Sequence, residues 1–169
     1  MKSIVIVPAY NEEHNLPGLL MSLKRDCPEC DVVVVNDCSD DNTREICRKY
    51  GVNVIDLPVN LGIGGAVQAG YKYALYKGYD CAVQVDGDGQ HDPKCIKMLL
   101  SELKKGADIC IGSRFISGEG CQSSRMRRLG IRFVSILIRI LTGHRITDPT
   151  SGFRALNRRA IKLFSADYP

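Results

Sequence analysis

The residues best suited to chemistry form an acidic cluster, Asp86-Gly-Asp-Gly-Gln90, which follows a short apolar run. Asp86 and Asp88 supply anionic oxygens, Gln90 adds a neutral oxygen, and Gly87 lets the backbone come close to a ligand. Oxygen ligands favour Mg²⁺ or Mn²⁺ over zinc, which prefers cysteine and histidine. Asp-Gly strings are also common in plain turns, so a metal site and an ordinary turn both remain open from this cluster alone.

Apolar runs and helix-like stretches alternate around this cluster. The runs are rich in β-branched residues, which predicts strands buried on both faces at residues 3–7, 31–35, 52–57, 81–85 and 108–111. Apolar residues spaced by three and four predict helices at residues 12–24, 41–50, 63–77 and 93–104, with Asn11, Asp40 and Asp92 as candidate N-caps. The alternation predicts an α/β fold with a mostly parallel central sheet and helices on both faces.

Polar clusters follow the first, second and fourth predicted strands. Ligands bind outside the carboxyl ends of the strands in such sheets, so we expect these clusters at one edge: Pro8-Ala-Tyr-Asn-Glu-Glu13, Asn36-Asp-Cys-Ser-Asp-Asp41 and Asp86-Gly-Asp-Gly-Gln90. Gly62-Ile-Gly-Gly65 lacks the pattern and position of a dinucleotide-binding glycine loop. It indicates tight packing at a helix start, where Gly65 can also approach a ligand phosphate.

Length and composition indicate one globular domain, since 169 residues with 44% hydrophobic side chains can bury a single core. The N-terminus lacks a signal-peptide pattern and no apolar run is long enough to span a membrane, so we expect an intracellular protein. The eight cysteines are expected to be reduced and mostly buried. Cys27-Pro-Glu-Cys30 has no second pair nearby, which argues against zinc or redox chemistry there.

The last part of the chain is strongly basic, because residues 120–169 hold 10 Lys and Arg against 2 Asp and Glu. Residues 125–141 place Arg128, Arg132, Ser135 and Arg139 on one polar stripe of an otherwise apolar helix. Such a helix suits an anionic membrane surface, and a helix packed on the sheet is the alternative. We expect no nucleic-acid partner, since no aromatic ladder or recognised nucleic-acid module accompanies the basic residues.

Six motifs are spread over nearly the whole chain. They are Val7-Pro-Ala-Tyr-Asn-Glu-Glu13, Asn36-Asp-Cys-Ser-Asp-Asp-Asn-Thr43, Asn60-Leu-Gly-Ile-Gly-Gly65, Asp86-Gly-Asp-Gly-Gln-His91, Gly112-Ser-Arg-Phe115 and Asp148-Pro-Thr-Ser-Gly-Phe-Arg154. In type and order they resemble the motifs of the family-2 glycosyltransferases with a GT-A fold. Within that family the chain is similar to the polyprenyl-phosphate sugar transferases such as dolichol-phosphate mannosyltransferase. Six ordered motifs are far more specific than any one of them.

The resemblance implies that a nucleotide-sugar lies across the strand ends and that a divalent cation sits on its diphosphate. The cation ligands implied are Asp86, Asp88 and Gln90. The implied acceptor is a polyprenyl phosphate, gripped by Arg114 and Arg128, and the implied catalytic residues are Asp88, Arg114 and Asp148. The residues that the resemblance assigns to the nucleotide-sugar, with Asp37 at the base, are Pro8, Ala9, Tyr10, Glu12, Asp37, Gly65, Asp86 and Gly87.

The chain departs from the family pattern in three places. Asn36 stands where many relatives have Asp, and Ile63 stands where many have Lys. Relatives usually continue past the length of this chain, so the single domain at residues 1–169 is expected to be a shortened form of theirs, by truncation or by nature.

Two residues near these motifs keep alternative roles. Asp148 is the only acidic residue between Glu119 and Asp167, and it serves either as a cap or ion-pair partner or as an acceptor-positioning group or base. A phosphomonoester acceptor needs no base, because it is already largely dianionic at neutral pH. His91 is expected at a helix start or behind a metal ligand, with direct metal binding or a catalytic role as the alternatives.

The sequence therefore predicts an inverting, metal-dependent transferase that moves a sugar from a nucleoside diphosphate to a polyprenyl phosphate. We expect it to be cytoplasmic and peripheral at the inner membrane face, and we leave homo-oligomerisation open. The alternatives are transfer to a saccharide hydroxyl, a sugar-phosphate nucleotidyltransferase and a non-catalytic nucleotide-binding module. The nucleotidyltransferase would need a basic, glycine-rich loop after the first strand, where this chain has Pro8-Ala-Tyr-Asn-Glu-Glu13.

Overall fold

A computed structural model describes residues 1–112, 134–141, 143, 148 and 151–168. Strands in these residues form one mixed sheet at the centre of the molecule. Each predicted strand is present, with ends shifted by one or two residues. The strands are β1 (Ser3–Ala9), β2 (Asp31–Asn36), β3 (Asn53–Asp56), β4 (Cys81–Gln84), β5 (Ile109–Ile111) and β6 (Arg154–Asn157).

The strand order is β3-β2-β1-β4-β6-β5. The first four strands in this order are parallel to one another, and β6 runs antiparallel to both of its neighbours. The carboxyl ends of β1, β2 and β4 therefore lie at the same edge, as predicted for the three polar clusters. The fold class is confirmed: the sheet is mostly parallel and helices cover both faces.

Helices pack on both faces of the sheet. Each predicted helix is present, although a short 3₁₀ turn at Pro93–Cys95 replaces the start of the fourth. The helices are α1 (Leu16–Asp26), α2 (Thr43–Tyr50), α3 (Gly62–Tyr76), α4 (Ile96–Lys104), α5 (residues 134–141) and α6 (Arg158–Ala166).

Two apolar cores lie on the two sides of β1, whose seven residues are all buried. Val5 and Val7 face α1 and α4 in one core, while Ile4 and Ile6 face α3 and α6 in the other. Alternation along the strand produces this division, since successive side chains point to opposite faces. Full burial of each such side chain stabilises the fold by about 1.5–3 kcal/mol.

The edge strands β3 and β5 differ from the prediction that every strand is buried on both faces. Their residues are exposed or only half-buried, because each edge strand has a neighbour on one side only. Apolar sequence alone did not distinguish the edge of the sheet from its centre.

Two of the three predicted N-caps are wrong. Asp92 accepts a hydrogen bond from the backbone N–H of Lys94 and caps the 3₁₀ turn, but α1 begins at Leu16 rather than after Asn11. Pro17 explains the later start, because its ring suits the first helical turn and it has no N–H to donate. At α2 the carboxylate of Asp41, not Asp40, accepts from the N–H of Thr43 at 2.9 Å.

The sequence analysis did not predict β6 and α6. The four residues of β6 carry only two fully buried side chains, so they show no long apolar run. The strand forms because Ala155 and Leu156 are inserted between β4 and β5, where both neighbours pair with them.

Residues 134–141 are helical, and their apolar side chains Ile136, Leu137, Ile140 and Leu141 are exposed. They form the last part of the predicted basic helix at residues 125–141, whose first part, 125–133, lies outside the described residues. In the part of the chain that the structure describes, no helix has the length and apolarity to cross a bilayer.

Candidate functional site

The carboxyl ends of β1, β2 and β4 enclose a cleft of about 270 Å³. Most of the residues that the sequence assigned to a nucleotide-sugar line it, and two apolar residues at the start of α3 complete its wall. The lining residues are Pro8, Ala9, Tyr10, Glu12, Asp37, Ile63, Ala66, Asp86, Gly87 and Asp88. The ring of Tyr10, which is 48% exposed, offers a flat apolar surface of the kind on which bases stack.

Hydrogen bonds join the loop after β1 to the loop after β2. The backbone N–H of Asn11 donates to Oγ of Ser39 at 3.0 Å, and Oδ1 of Asn11 accepts from the N–H of Asp40 at 2.9 Å. Asn11 adopts a left-handed backbone with φ of 56°, a conformation that asparagine tolerates better than most residues. The two loops that carry Tyr10 and Asp37 are therefore held together at the mouth of the cleft.

Gly87 allows the acidic loop to approach the end of β1. A Cβ atom at this position would lie 3.0 Å from the carbonyl oxygen of Pro8 and 3.3 Å from Cγ of Glu12. The absence of a side chain is thus required by close packing, and it brings the carboxylates of Asp86 and Asp88 to the same cleft as Pro8 and Glu12.

Asp86 is held by two side chains. Nε2 of His91 lies 3.2 Å from Oδ2, and the amide nitrogen of Gln84 donates to Oδ1 at 3.2 Å. Burial alone would raise the pKa of Asp86, but the hydrogen bonds from His91 and Gln84 and the nearby charge of Arg154 outweigh it and lower the pKa below its ordinary value. Asp86 is therefore ionised at neutral pH.

Asp88 is half-buried, and its Oδ1 accepts from the backbone N–H of Gln90 at 3.0 Å. Gln90 is exposed and is not among the residues that line the cleft. Among the described residues, no group of three His, Cys, Asp or Glu side chains is close enough to hold a metal alone. Two carboxylates fit Mg²⁺ or Mn²⁺, which take their remaining oxygen ligands from phosphates and water.

Asp37 and Asn36 have different surroundings although they are neighbours. Oδ1 of Asp37 accepts from the backbone N–H of Leu61 at 2.7 Å, and Asp37 lines the cleft. Asn36 donates to Oδ1 of Asp56 at 3.0 Å and accepts from the N–H of Ser39. The amide thus suits the site that it occupies, since a carboxylate there would face the carboxylate of Asp56.

Several residues assigned from the sequence lie away from the cleft or outside the described residues. Gly65 packs against the side chain of Leu61 and does not line the cleft. Asp148 is 1% exposed, and its carbonyl accepts from the N–H of Ser151. Arg114 and Arg128 lie outside the described residues.

The sequence analysis missed the part played by Gln84 and Phe153. Gln84 was included in an apolar run, yet a buried glutamine in such a run was a signal of a hydrogen-bonded site. Phe153 stacks on the ring of His91 with centroids 5.0 Å apart and planes at 16°, a contact across more than sixty residues that local sequence does not indicate.

Comparison with known proteins places the chain among sugar transferases. The family model for glycosyl transferase family 2 matches residues 4–164. The chain is 33% identical to a polyprenol monophosphomannose synthase of Mycolicibacterium smegmatis, covering 95% of this chain and 63% of that protein. It is 35% identical to an undecaprenyl-phosphate mannosyltransferase of Micrococcus luteus, covering 99% of this chain and 71% of that protein.

Solved structures show the same fold. A glucosyl-3-phosphoglycerate synthase from Mycobacterium tuberculosis, solved with Mn²⁺, UDP and phosphoglyceric acid, matches with a TM-score of 0.74 at 20% identity. The match covers 94% of this chain and 56% of that one, and it identifies the fold as GT-A. Because the family model covers nearly the whole chain, the protein belongs to glycosyl transferase family 2.

Proposed function

We propose that this chain transfers a sugar from a nucleoside-diphosphate sugar to a polyprenyl phosphate, with a divalent cation and with inversion at the anomeric carbon. The observation that carries the proposal is the shared cleft, in which Asp37 and Tyr10 line the same cavity as Asp86 and Asp88. A nucleotide-sugar needs a surface for its base and a cation for its diphosphate. Tyr10 and Asp37 offer the surface, and Asp86 and Asp88 would hold the cation.

The donor binds through this chain's own residues. The ring of Tyr10 and the carboxylate of Asp37 receive the base and ribose, while Asp86 and Asp88 would hold the cation that the diphosphate needs. The cation, when bound, neutralises the charge that develops on the diphosphate as it leaves. Gly87 lets the acidic loop lie against the end of β1, so that base site and diphosphate site belong to one cleft.

The acceptor reacts without a dedicated base. A polyprenyl phosphate is largely dianionic at neutral pH, so one of its oxygens forms the bond to the anomeric carbon while the bond from that carbon to the diphosphate breaks. This single displacement inverts the anomeric configuration. We assign Arg114 and Arg128 to the acceptor phosphate, as the resemblance to the polyprenyl-phosphate sugar transferases implies. Arginine suits this role because it binds phosphate oxygens through two parallel N–H groups.

The lipid acceptor is supported by two further observations. The two relatives described above are named a polyprenol monophosphomannose synthase and an undecaprenyl-phosphate mannosyltransferase. In addition, α5 exposes Ile136, Leu137, Ile140 and Leu141, and the preceding residues are rich in arginine. We infer that this segment lies at the cytoplasmic membrane face, where the apolar side chains enter the acyl boundary.

The proposal is tested by offering a panel of UDP- and GDP-sugars with Mn²⁺ to the purified chain, with either undecaprenyl phosphate or an oligosaccharide as acceptor. We expect the sugar of one donor to enter the lipid fraction as a phosphodiester with inverted configuration. Transfer to the oligosaccharide with no lipid product would overturn the lipid acceptor in favour of a saccharide hydroxyl. Binding of nucleotide without consumption of any donor would favour a non-catalytic module.

A further inference from the structure

We propose that His91 and the turn Ser151-Gly152-Phe153 position the carboxylate of Asp86 for the cation, an inference that rests on the proposed function. Asp86 lies at the end of β4, whereas the turn precedes β6, more than sixty residues later in the chain. The antiparallel pairing of Gln84 with Arg154 brings the two segments side by side.

Each oxygen of the Asp86 carboxylate has one hydrogen-bond donor among the residues that the structure describes. A carboxylate only accepts hydrogen bonds, so the ring N–H at Nε2 of His91 donates to Oδ2, and the amide of Gln84 donates to Oδ1. A carboxylate oxygen has two lone-pair positions. These two donors use one position on each oxygen, and the side chain of Asp86 retains 31% exposure toward a cation in the cleft.

The amide of Gln84 is fixed in one orientation. Its oxygen is buried and has no hydrogen-bond partner among the described residues, which is exceptional for a buried polar atom in a protein. Turning the amide would give that oxygen no better partner and would point it at the carboxylate of Asp86. In this orientation the amide nitrogen of Gln84 donates to Asp86, although the amide oxygen gains no hydrogen bond of its own among the described residues.

The imidazole of His91 is itself held in place. It is 9% exposed and stacks on Phe153 at a centroid distance of 5.0 Å. Phe153 in turn is anchored to Gly112, whose N–H donates to the Phe153 carbonyl at 2.8 Å, and Oγ of Ser151 donates to the Gly112 carbonyl at 2.7 Å. Because stacking fixes the ring, its N–H stays directed at Asp86, and no further conformational entropy is lost in orienting it when a metal binds.

Gly152 limits where the carboxylate can lie. A Cβ atom at Gly152 would stand 2.6 Å from Oδ1 and 2.8 Å from Cγ of Asp86, and closer still to Oδ2. The φ angle of Gly152 is not among the positive values of the described glycines, so its backbone conformation is open to other residues. The glycine is needed because the backbone of the turn packs directly against the carboxylate.

This arrangement is tested by measuring Mn²⁺ affinity by electron paramagnetic resonance, in the presence of whichever of UDP or GDP binds the unaltered chain. Removal of a group that orients a metal ligand typically weakens metal binding by about 10- to 100-fold. We expect such a loss in His91→Leu and in Gly152→Ala. We expect His91→Gln, whose amide retains a donor, to recover part of the affinity.

A purely structural role for these residues would not produce this pattern. In His91→Gln and Gly152→Ala, nucleotide affinity in the presence of chelator is expected to stay close to that of the unaltered chain. In His91→Gln, the melting temperature without metal is expected to stay close as well. Gly18→Ala is the matched glycine control, because a Cβ there meets nothing within 4 Å, and its Mn²⁺ affinity should be unchanged.

Failure of this inference is distinguishable from failure of the proposed function. If the unaltered chain binds no Mn²⁺ with either nucleotide, the proposed metal dependence is overturned. The positioning role is tested separately, once the unaltered chain binds Mn²⁺ and Asp86→Asn does not. If Gly152→Ala and His91→Leu then bind Mn²⁺ as tightly as the unaltered chain, the positioning role is overturned. If His91→Leu does not fold, the Mn²⁺ affinities of Gly152→Ala and His91→Gln test the positioning role in its place.

Discussion

Oδ1 of Asp37 accepts a hydrogen bond from the backbone N–H of Leu61 at 2.7 Å, and this bond joins the end of β2 to the loop before α3. The carboxylate is thereby fixed at the wall of the cleft, 3% exposed. Asn36, the preceding residue, is bonded to Asp56 instead. The two neighbours therefore have different surroundings: Asp37 lines the cleft, and Asn36 joins β2 to β3.

The first prediction follows from this division of roles. Asp37→Ala should weaken binding of a nucleoside diphosphate by at least about tenfold, since a hydrogen bond to a charged group contributes roughly 1.5–3 kcal/mol. Asn36→Ala should lower the free energy of unfolding, because it leaves Asp56 short of a donor, but it should change nucleotide affinity much less. Isothermal titration calorimetry measures the nucleotide affinity of both variants. Equal affinities in Asp37→Ala and the unaltered chain would show that Asp37 does not bind the base.

The second prediction concerns Asp41, whose carboxylate accepts from the N–H groups of Thr43 and Glu13. Burial would raise its pKa, but the hydrogen bonds from Thr43 and Glu13 outweigh burial and lower the pKa. A carboxyl group with a lower pKa in the folded state stabilises that state above its unfolded pKa, and this contribution is lost as the pH falls through the folded value.

We therefore expect Asp41→Ala to cost about 1 kcal/mol of unfolding free energy at pH 7, as for a lost helix cap. The difference between variant and unaltered chain should shrink as the pH falls below about 4, near the unfolded pKa of aspartate. Urea denaturation at a series of pH values measures this. If the difference in unfolding free energy stays constant from neutral to acidic pH, the ionised carboxylate of Asp41 is not the cause of the stabilisation.

The third prediction concerns the thiols. Burial raises the pKa of Cys27 to about 11 and of Cys30 to about 12, and burial raises the pKa of Cys47 to about 11. Because the thiolate is the reactive form, iodoacetamide at pH 8 should leave these three unmodified in the native chain. Cys38, which is half-buried at the loop after β2, should react before these three. Mass spectrometry of native and urea-treated samples checks the order, and rapid labelling of Cys30 in the native chain would contradict it.

The sequence predicted those features of the fold that depend on local pattern and failed where tertiary contacts decide. The continuous apolar run at β1 predicts a central strand, because only a strand covered on both faces buries every residue. The run at β5 looks similar but forms an edge. The short strand β6 has little apolar pattern of its own and depends on β4 and β5 for its pairing.

The same limit applies to the candidate site. Asp37, Asp86 and Asp88 follow strands, so the rule that ligands bind at strand ends brought them together correctly. Gly65 follows a strand as well, but its packing against Leu61 keeps it from lining the cleft. The contacts of Phe153 and Gly152 with the acidic loop depend on the antiparallel insertion of β6, which no local spacing encodes.

The fourth prediction concerns Arg114 and Arg128, which the proposed function assigns to the acceptor phosphate. Arg114→Ala and Arg128→Ala should each slow transfer to polyprenyl phosphate, while slow hydrolysis of the nucleotide-sugar by water persists, because the donor residues are untouched. Arg128→Lys should recover only part of the rate, since an ammonium restores charge but not the planar two-donor geometry. Product analysis of lipid and aqueous fractions separates the two reactions. Unaltered lipid transfer in both alanine variants would remove these arginines from the acceptor site.

The most direct test of the account is the rate of sugar transfer to polyprenyl phosphate by the unaltered chain, Asp86→Asn and Asp88→Asn, each with Mn²⁺ and with excess chelator. We expect transfer by the unaltered chain with Mn²⁺, and loss of most of it in chelator and in both variants, whose melting temperatures should stay close to that of the unaltered chain. Loss of the cation removes several kcal/mol of transition-state stabilisation. Full transfer in both variants, or equal rates with and without chelator, would contradict the account.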